Sequence, residues 1–284
     1  MKIRIISDLH VDENKEYSML FHWMDRDIMT IIAGDVAGCL EETASFLKTH
    51  FNNVIFVGGN HIVYNYDYKP IQQLHMDYQA EFPLNASISY LENAYKEIEN
   101  VVFIGATLWT DYSYRRKRGI NMDFARLHVN DFAWGNFRES DGTETPLHPQ
   151  HCFGMFKESL DFIKAAYDKF NGTGKQIVLV VHHGVSPQVI SKEYQGSDLD
   201  ASFVSDLEDF IVRNLPNLAL IIHGHVHNRF QYKIGTVPVI CNPCGYIEYA
   251  ENEDLPAWDK DLVFELPKQA MCDKVLSLSE RAIS

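Results

Sequence analysis

Ile3-Arg4-Ile5-Ile6-Ser7-Asp8-Leu9-His10 is an apolar run that stops at a carboxylate and an imidazole. Its length and β-branched content predict a strand. Extended alternation would turn Asp8 and His10, two residues apart, toward the same side. A carboxylate and an imidazole sharing one direction suit a metal ion. Four further apolar runs end in the same way. Met29–Ala33 runs into Gly34-Asp35, and Val54–Val57 into Gly58-Gly59-Asn60-His61. Ile177–Val181 runs into His182-His183-Gly184, and Leu218–Ile222 into His223-Gly224-His225-Val226-His227. A single Asp or His at a strand end is ordinarily a cap, a turn residue or a hydrogen-bonded side chain. Five such ends in one chain argue for a shared site, and open α/β sheets bind ligands at that edge. Asp and Asn oxygens with several imidazoles suit Mn, Fe, Zn, Ni or Co.

Between these runs the pattern predicts helices. Tyr17–Met24 could be helical. Glu41–Thr49 carries Ala44 and Leu47 on one face with the flanking Leu40 and Phe51. Ile71–Glu81 and Phe153–Phe170 also read as helices, within an otherwise mixed stretch in the case of Tyr64–Leu91. Val101–Ile104 reads as a strand. Ala201–Leu215 is expected to be one helix ended by Pro216. Phe230–Ile234 and Val237–Cys241 suggest a hairpin turning at Gly235-Thr236. Asp261–Leu266 is a last strand and Lys274–Ala282 a terminal helix or tail. Leu108–Gln150 is the least regular region, and about 109–150 is expected to be an irregular insertion near the cleft of a single domain spanning 1–284. Strands and helices alternate through the first half, which places the chain in the α/β class.

At 284 residues and 46% hydrophobic, the chain can bury a sizeable core, which excludes a disordered protein. The net charge of −14 argues against stable binding to duplex nucleic acid or an anionic membrane. It does not exclude a phosphate substrate, because bound metal inverts the local field. The apolar runs are too short to span a bilayer, and the N-terminus shows no signal-peptide pattern, so a cytoplasmic location is expected. Oligomeric state is left open. The odd set Cys39, Cys152, Cys241, Cys244 and Cys272 does not form a disulfide framework, and Cys241–Cys244 reads as two ordinary thiols rather than a redox pair.

Taken together, Asp8-Leu9-His10, Gly34-Asp35, Gly59-Asn60-His61, His182-His183 and Gly224-His225-Val226-His227 resemble, in order and spacing, the five blocks of the calcineurin-like metallophosphoesterases. The resemblance implies two mixed β-sheets packed face to face, flanked by helices in four layers. It implies two divalent or trivalent metal ions, with Asp8, His10 and His227 matching the ligands of the first and Asn60, His182 and His225 those of the second. Asp35 matches the bridging carboxylate. His61 matches the catalytic histidine that contacts the phosphate or protonates the leaving oxygen. His183 would support His182 or touch substrate, and His223 has no family role. The family often has Asp or Glu directly after the Gly-Asn-His block. Ile62 stands there in this chain, so that supporting carboxylate has no candidate. Asn242-Pro243-Cys244-Gly245-Tyr246 is similar to a stretch in some bacterial members that would close the wall behind His225 and His227.

The activity so implied is hydrolysis of a phosphate ester by a water bridging the two metals, in a centre with a net positive charge of about two. A phosphodiester of a small nucleotide or similar molecule is the favoured substrate. A phosphomonoesterase or protein phosphatase, a nuclease, and a metal-binding scaffold without turnover are the alternatives. Arg115-Arg116-Lys117-Arg118 is either a solvated charged turn or a grip on the substrate through Arg115 and Arg116. Tyr112, Tyr114, Phe132 and Trp134 could stack on a base or pack the core.

Overall fold

The computed structural model describes residues 1–14, 26–64, 68–192, 194–246 and 258–266. The helices expected over Tyr17–Met24 and Lys274–Ala282 lie outside these residues. In chain order, β1 (Lys2–Ile6), β2 (Met29–Ile32) and β3 (Val54–Phe56) are followed by β4 (Ile88–Tyr90), β5 (Ala94–Ile98) and β6 (Val101–Ala106). A small hairpin, β7 (Asn136–Arg138) and β8 (Glu144–Pro146), precedes β9 (Gln176–Val181) and β10 (Leu220–His223). The antiparallel pair β11 (Phe230–Ile234) and β12 (Val237–Cys241) comes next, and β13 (Val263–Glu265) last. The helices are α1 (Leu40–His50), α2 (Ile71–Glu81), α3 (Arg118–His128), α4 (Asp131–Trp134), α5 (Pro149–Phe170), α6 (Asp200–Phe203) and α7 (Glu208–Asn214).

Two mixed sheets carry the fold, with strand orders β13-β1-β2-β3-β4 and β11-β12-β10-β9-β6-β5. The strands alternate between two apolar layers with period two, as a pleated strand buried on both faces must. Ile3, Ile5, Ile31, Ile55, Val101, Phe103, Val178, Val180, Leu220 and Ile222 form one layer, shared between the two sheets. Ile6, Ile32, Phe56, Val102, Ile104, Leu179 and Ile221 turn the other way and pack with helical residues such as Leu47, Tyr78, Phe156, Ile163 and Ile211. The result is a face-to-face α/β sandwich flanked by helices, as the resemblance implies.

Parallel pairing joins β1 to β2 to β3, and β6 to β9 to β10 to β12, so each sheet brings its strand C-termini to one edge. A parallel bridge between Ser7 and Pro243 ties the two sheets together there. Five polar strand ends thereby meet at one rim.

Three expectations are corrected. The stretch over 108–150 is not irregular. It holds α3, α4 and the β7–β8 hairpin, and α5 begins at Pro149 with His148 and His151 in a reciprocal cap. Polar residues dominate these short elements, and α3 buries only Asn121, Met122 and Ala125, so little apolar period marks them. Residues 201–215 form two helices rather than one. Between α6 and α7 the backbone N–H groups of Ser205 and Leu207 bond to the carbonyls of Gly184 and Val185, and the chain is extended there. β4 and β5 were also not expected. β4 has three residues, and β5 is an antiparallel partner of β6 whose Lys96 and Glu97 break the apolar run.

Candidate metal centre

The backbone beyond the strand ends is not extended. Asp8, His10, Asp35, His225 and His227 all lie in the left-handed region, with φ of 52°, 43°, 54°, 71° and 50°. Asp8 and His10 therefore converge for a reason other than strand alternation, since β1 has ended at Ile6. Non-glycine residues in this region cost about 1–2 kcal/mol each. Such residues cluster where surrounding structure over-determines them, commonly at functional sites.

The side chains form two groups around one shared carboxylate. In the first, His10 Nε2 lies 3.0 Å from His227 Nε2, which is 3.4 Å from Asp8 Oδ1. In the second, His182 Nε2 lies 2.9 Å from Asn60 Oδ1 and 3.1 Å from Asp35 Oδ2, and His225 completes a set with Asp35 and His182. Asp35 also groups with His10 and His61, which puts it between the two sets. Ligand-type atoms within each set lie within 4.8 Å of one another.

The electrostatics of these positions suit a cation. His182 Nδ1 sits 2.8 Å from the Ala33 carbonyl, which only accepts, so Nδ1 carries a hydrogen. A neutral His182 would then aim its Nε2 lone pair at two oxygens. Burial opposes charge on the ring, but Asp35 overrides it and lifts the His182 pKa to about 9. Burial likewise opposes the Asp35 charge, and His182, then His61, hold that carboxylate well below its usual range. Burial also opposes the Asp8 charge, yet the hydrogen bond and charge of His227 lower its pKa. Burial and the charge of His61 push His10 to about 3, and burial with His183 pushes His225 well down. His10 and His225, held neutral, thus stand in sets with buried carboxylates, and His10 Nδ1 is buried with no hydrogen-bond partner among the described residues. Imidazole, carboxylate and amide donors in two sets fit divalent first-row ions.

Outer contacts fix the donors. Asp131, in α4, is buried and accepts at one oxygen, Oδ1, from Asn60 Nδ2 at 2.9 Å and from the Tyr64 hydroxyl at 2.6 Å. A carboxylate cannot donate, so it holds the Asn60 amide with Oδ1 turned to His182. The support missing at Ile62 therefore comes from Asp131, 71 residues after Asn60. Sequence reading missed Asp131 because it lies in the region without apolar period. The only local sign was the departure at Ile62. Gly59 has φ +80°, and a Cβ there would meet Asp35 Oδ1 at 2.0 Å. Gly224 leaves room for Asp8 Oδ2, which a Cβ would meet at 2.5 Å.

His61 follows β3 in a short 3-10 turn, with its N–H on Asp35 Oδ1 at 3.0 Å and its Nε2 3.9 Å from Asp35 Oδ2. His183 is fully buried, its Nδ1 3.2 Å from the Thr107 carbonyl and its ring between Trp109 and His225. His223 is buried between the Gly224 carbonyl and the Tyr232 hydroxyl, away from the two sets. Residues 242–246 run along the rim, and the Tyr246 ring lies on His10 and His227. Cys241 is buried with its thiol 3.8 Å from the Gly224 carbonyl, and no disulfide joins the described cysteines. Arg115 pairs with Asp200 at 3.4 Å, Arg116 pairs with Asp198, and Arg118 stacks on Phe153 and donates to the Asp111 carbonyl. Tyr114, Arg115 and Arg116 line a cleft of about 150 Å³ with Asp198, Asp200 and Ala201. α6 runs from this cleft to Phe203, whose ring stacks on His225 at 4.9 Å. Tyr112 is core, and Trp134 is exposed beside Tyr68.

Comparison with known proteins agrees with this geometry. An uncharacterized protein of Acanthamoeba polyphaga mimivirus is 22% identical over 276 residues, covering 88% of this chain and 93% of the viral protein. The crystal structure of a phosphopantetheinyl hydrolase from Mycobacterium tuberculosis superposes with a TM-score of 0.67 at 18% identity, over 90% of this chain and 94% of that one, a likeness of fold. The family profile for calcineurin-like phosphoesterases matches residues 1–229, a span that contains every block from Asp8 to His227. The chain belongs to the calcineurin-like phosphoesterases and is a phosphoester hydrolase.

Proposed function

We propose that the protein hydrolyses a phosphodiester of a small nucleotide or similar molecule, using two divalent ions. Asp8, His10 and His227 would hold one ion, Asn60, His182 and His225 the other, and Asp35 both. The observation that carries this reading is the convergence of these six side chains, from two sheets, around the one buried carboxylate of Asp35. When bound, the ions supply Lewis-acid charge for the phosphoryl oxygens and lower the pKa of the attacking water. Asp8 and Asp35 offset part of that charge, and the ring nitrogens serve as neutral donors. His61 stands beside the centre at a position to act on the leaving oxygen. His183, buried behind His225, supports that ligand rather than meeting substrate. Arg115 and Arg116 with Tyr114 flank the part of the substrate remote from phosphorus. Their pairing with Asp200 and Asp198 favours a diester, because a monoester dianion calls for cations not already neutralised. The name of the mycobacterial fold neighbour, a phosphopantetheinyl hydrolase, is compatible with a small phosphate-ester substrate. No helix among the described residues is long and apolar enough to cross a membrane. The unbridged thiols suit a reducing compartment, and the cytoplasm is part of the proposal.

The test is kcat/KM for bis(4-nitrophenyl) phosphate against 4-nitrophenyl phosphate with Mn²⁺ added, for the native protein, Asp35→Asn and His61→Ala. The expected result is preference for the diester, lost in both variants. A monoester preference overturns the substrate, and turnover that survives both substitutions overturns the site.

A further inference from the structure

Tyr246 is placed with more care than a wall residue needs. Four hydrogen bonds seat the segment before it on the chain that follows β1. The Ser7 N–H donates to the Asn242 carbonyl at 3.2 Å, and the Cys244 and Gly245 N–H groups donate to the Ser7 and Asp8 carbonyls at 2.9 Å each. Asn14 Nδ2 then donates to the Gly245 carbonyl at 2.8 Å. Gly245 turns with φ +70°, and the Tyr246 ring stacks on His10 at 4.5 Å and 23°. This leaves the phenol hydroxyl 3.2 Å from His61 Nε2. The hydroxyl can both donate and accept through one atom. At 3.2 Å from Nε2, the hydroxyl stands beside the ring nitrogen that faces the centre.

We propose that the Tyr246 hydroxyl, beside His61 Nε2, receives the leaving oxygen and hydrogen-bonds it as negative charge develops. The inference rests on the hydrolase reading above. In the step, the oxygen of the attacking water bonds to phosphorus and its proton goes to solvent. The bond from phosphorus to the leaving oxygen breaks, with the electron pair on that oxygen. That oxygen takes up a proton as it departs, from His61 or from water. Tyr246 gives up no proton. It stabilises charge, and such stabilisation matters most for a basic leaving group.

That dependence is the test. Tyr246→Phe keeps the ring on His10 and removes only the hydroxyl. It is compared with the native protein on two methyl aryl phosphodiesters, one losing 4-nitrophenol and the other phenol, with Mn²⁺ binding measured alongside. The expected result is kcat for the phenyl ester down by about 10- to 100-fold. The 4-nitrophenyl ester should change little and Mn²⁺ affinity should hold. Equal losses on both esters, no loss on either, or weakened Mn²⁺ binding would each assign Tyr246 to packing and overturn the inference. A native protein that turns over neither ester overturns the hydrolase reading itself, and the role of Tyr246 with it.

Discussion

Replacing Asp131 by asparagine separates the two things its carboxylate does. Asn60 Nδ2 and the Tyr64 hydroxyl both donate to the same oxygen, Oδ1. An amide oxygen in that place can accept both, so Asp131→Asn keeps two hydrogen bonds and loses their charge assistance. Hydrogen bonds to a charged partner contribute about 1.5–3 kcal/mol, and neutral ones about 0.5–1.5, so the hold on Asn60 weakens by about 1–2 kcal/mol. At roughly 1.4 kcal/mol per tenfold, Mn²⁺ should bind about 5- to 30-fold more weakly at the site that includes Asn60. Folding should respond differently. Burial raises the Asp131 pKa above its ordinary value, so the folded state binds a proton more readily than the unfolded chain does. The charged carboxylate therefore costs stability at neutral pH, and the amide removes that cost. Chelator-stripped Asp131→Asn should melt at the native temperature or above, while Asp131→Ala, which leaves two buried donors without an acceptor, should melt lower. Calorimetric Mn²⁺ titration and thermal melts of the three stripped proteins decide the matter. Native Mn²⁺ affinity in Asp131→Asn, or a stability loss equal to that of Asp131→Ala, would refute the positioning argument.

Gly59→Ala places a methyl on the Asp35 carboxylate at a residue with φ +80°, and should cost more than about 1 kcal/mol in urea unfolding and abolish tight Mn²⁺ binding. Saturating one ion site at a hundredfold over its Kd adds about 2.7 kcal/mol, so Mn²⁺ added to stripped protein should raise Tm by roughly 4–5 °C per site in a thermal-shift assay. His75 Nδ1 lies 2.7 Å from the buried Tyr90 hydroxyl, and burial lowers its pKa. The unfolded chain takes up a proton there first, so stability is full above about pH 6.5 and falls as pH drops below it. His75→Gln should flatten that acid limb in melts between pH 7.5 and 5. Arg115→Ala with Arg116→Ala should raise KM for a nucleotide diester and leave kcat for bis(4-nitrophenyl) phosphate unchanged, as steady-state kinetics would show.

The sequence makes the strand ends legible because chemistry and periodicity coincide there. A buried parallel strand must be apolar throughout, so Asp35 or His182 at its end is conspicuous. The bounds of α2 and of the β11–β12 pair follow from the same apolar period and from Gly235. What was not legible depends on distant contacts. Asp131 looks like one more surface carboxylate until the fold brings it under Asn60. Arg115 and Arg116 look like free cations until Asp200 and Asp198, more than eighty residues on, arrive beside them. Asp8 and His10 were matched to one site by assuming extended backbone, and they reach it through left-handed turns instead.

Those turns bear on how the centre holds together. Five left-handed residues at about 1–2 kcal/mol each approach the whole net stability of a domain, about 5–15 kcal/mol. Hydrogen bonds local to the rim offset the strain. The Asp8 and Asp35 N–H groups donate to the Gly34 and Gly58 carbonyls at 3.0 and 3.1 Å, and the His10 N–H donates to the Asp35 carbonyl at 3.1 Å. The carboxylates add to this with the atoms that would face metal. Asp8 takes the His225 N–H on Oδ1 and Oδ2 at 3.0 and 3.1 Å, and Asp35 takes the His61 N–H on Oδ1 while Oδ2 meets His182. Each carboxylate thus binds the backbone of a neighbouring donor as well as its side-chain environment. The ligand loops of the two sheets are held in register by the same oxygens that set the charge of the site. A substitution at Asp8 or Asp35 therefore disturbs the turn geometry and the electrostatics together, whereas Asp131 and Tyr246, one contact further out, allow the two to be changed one at a time.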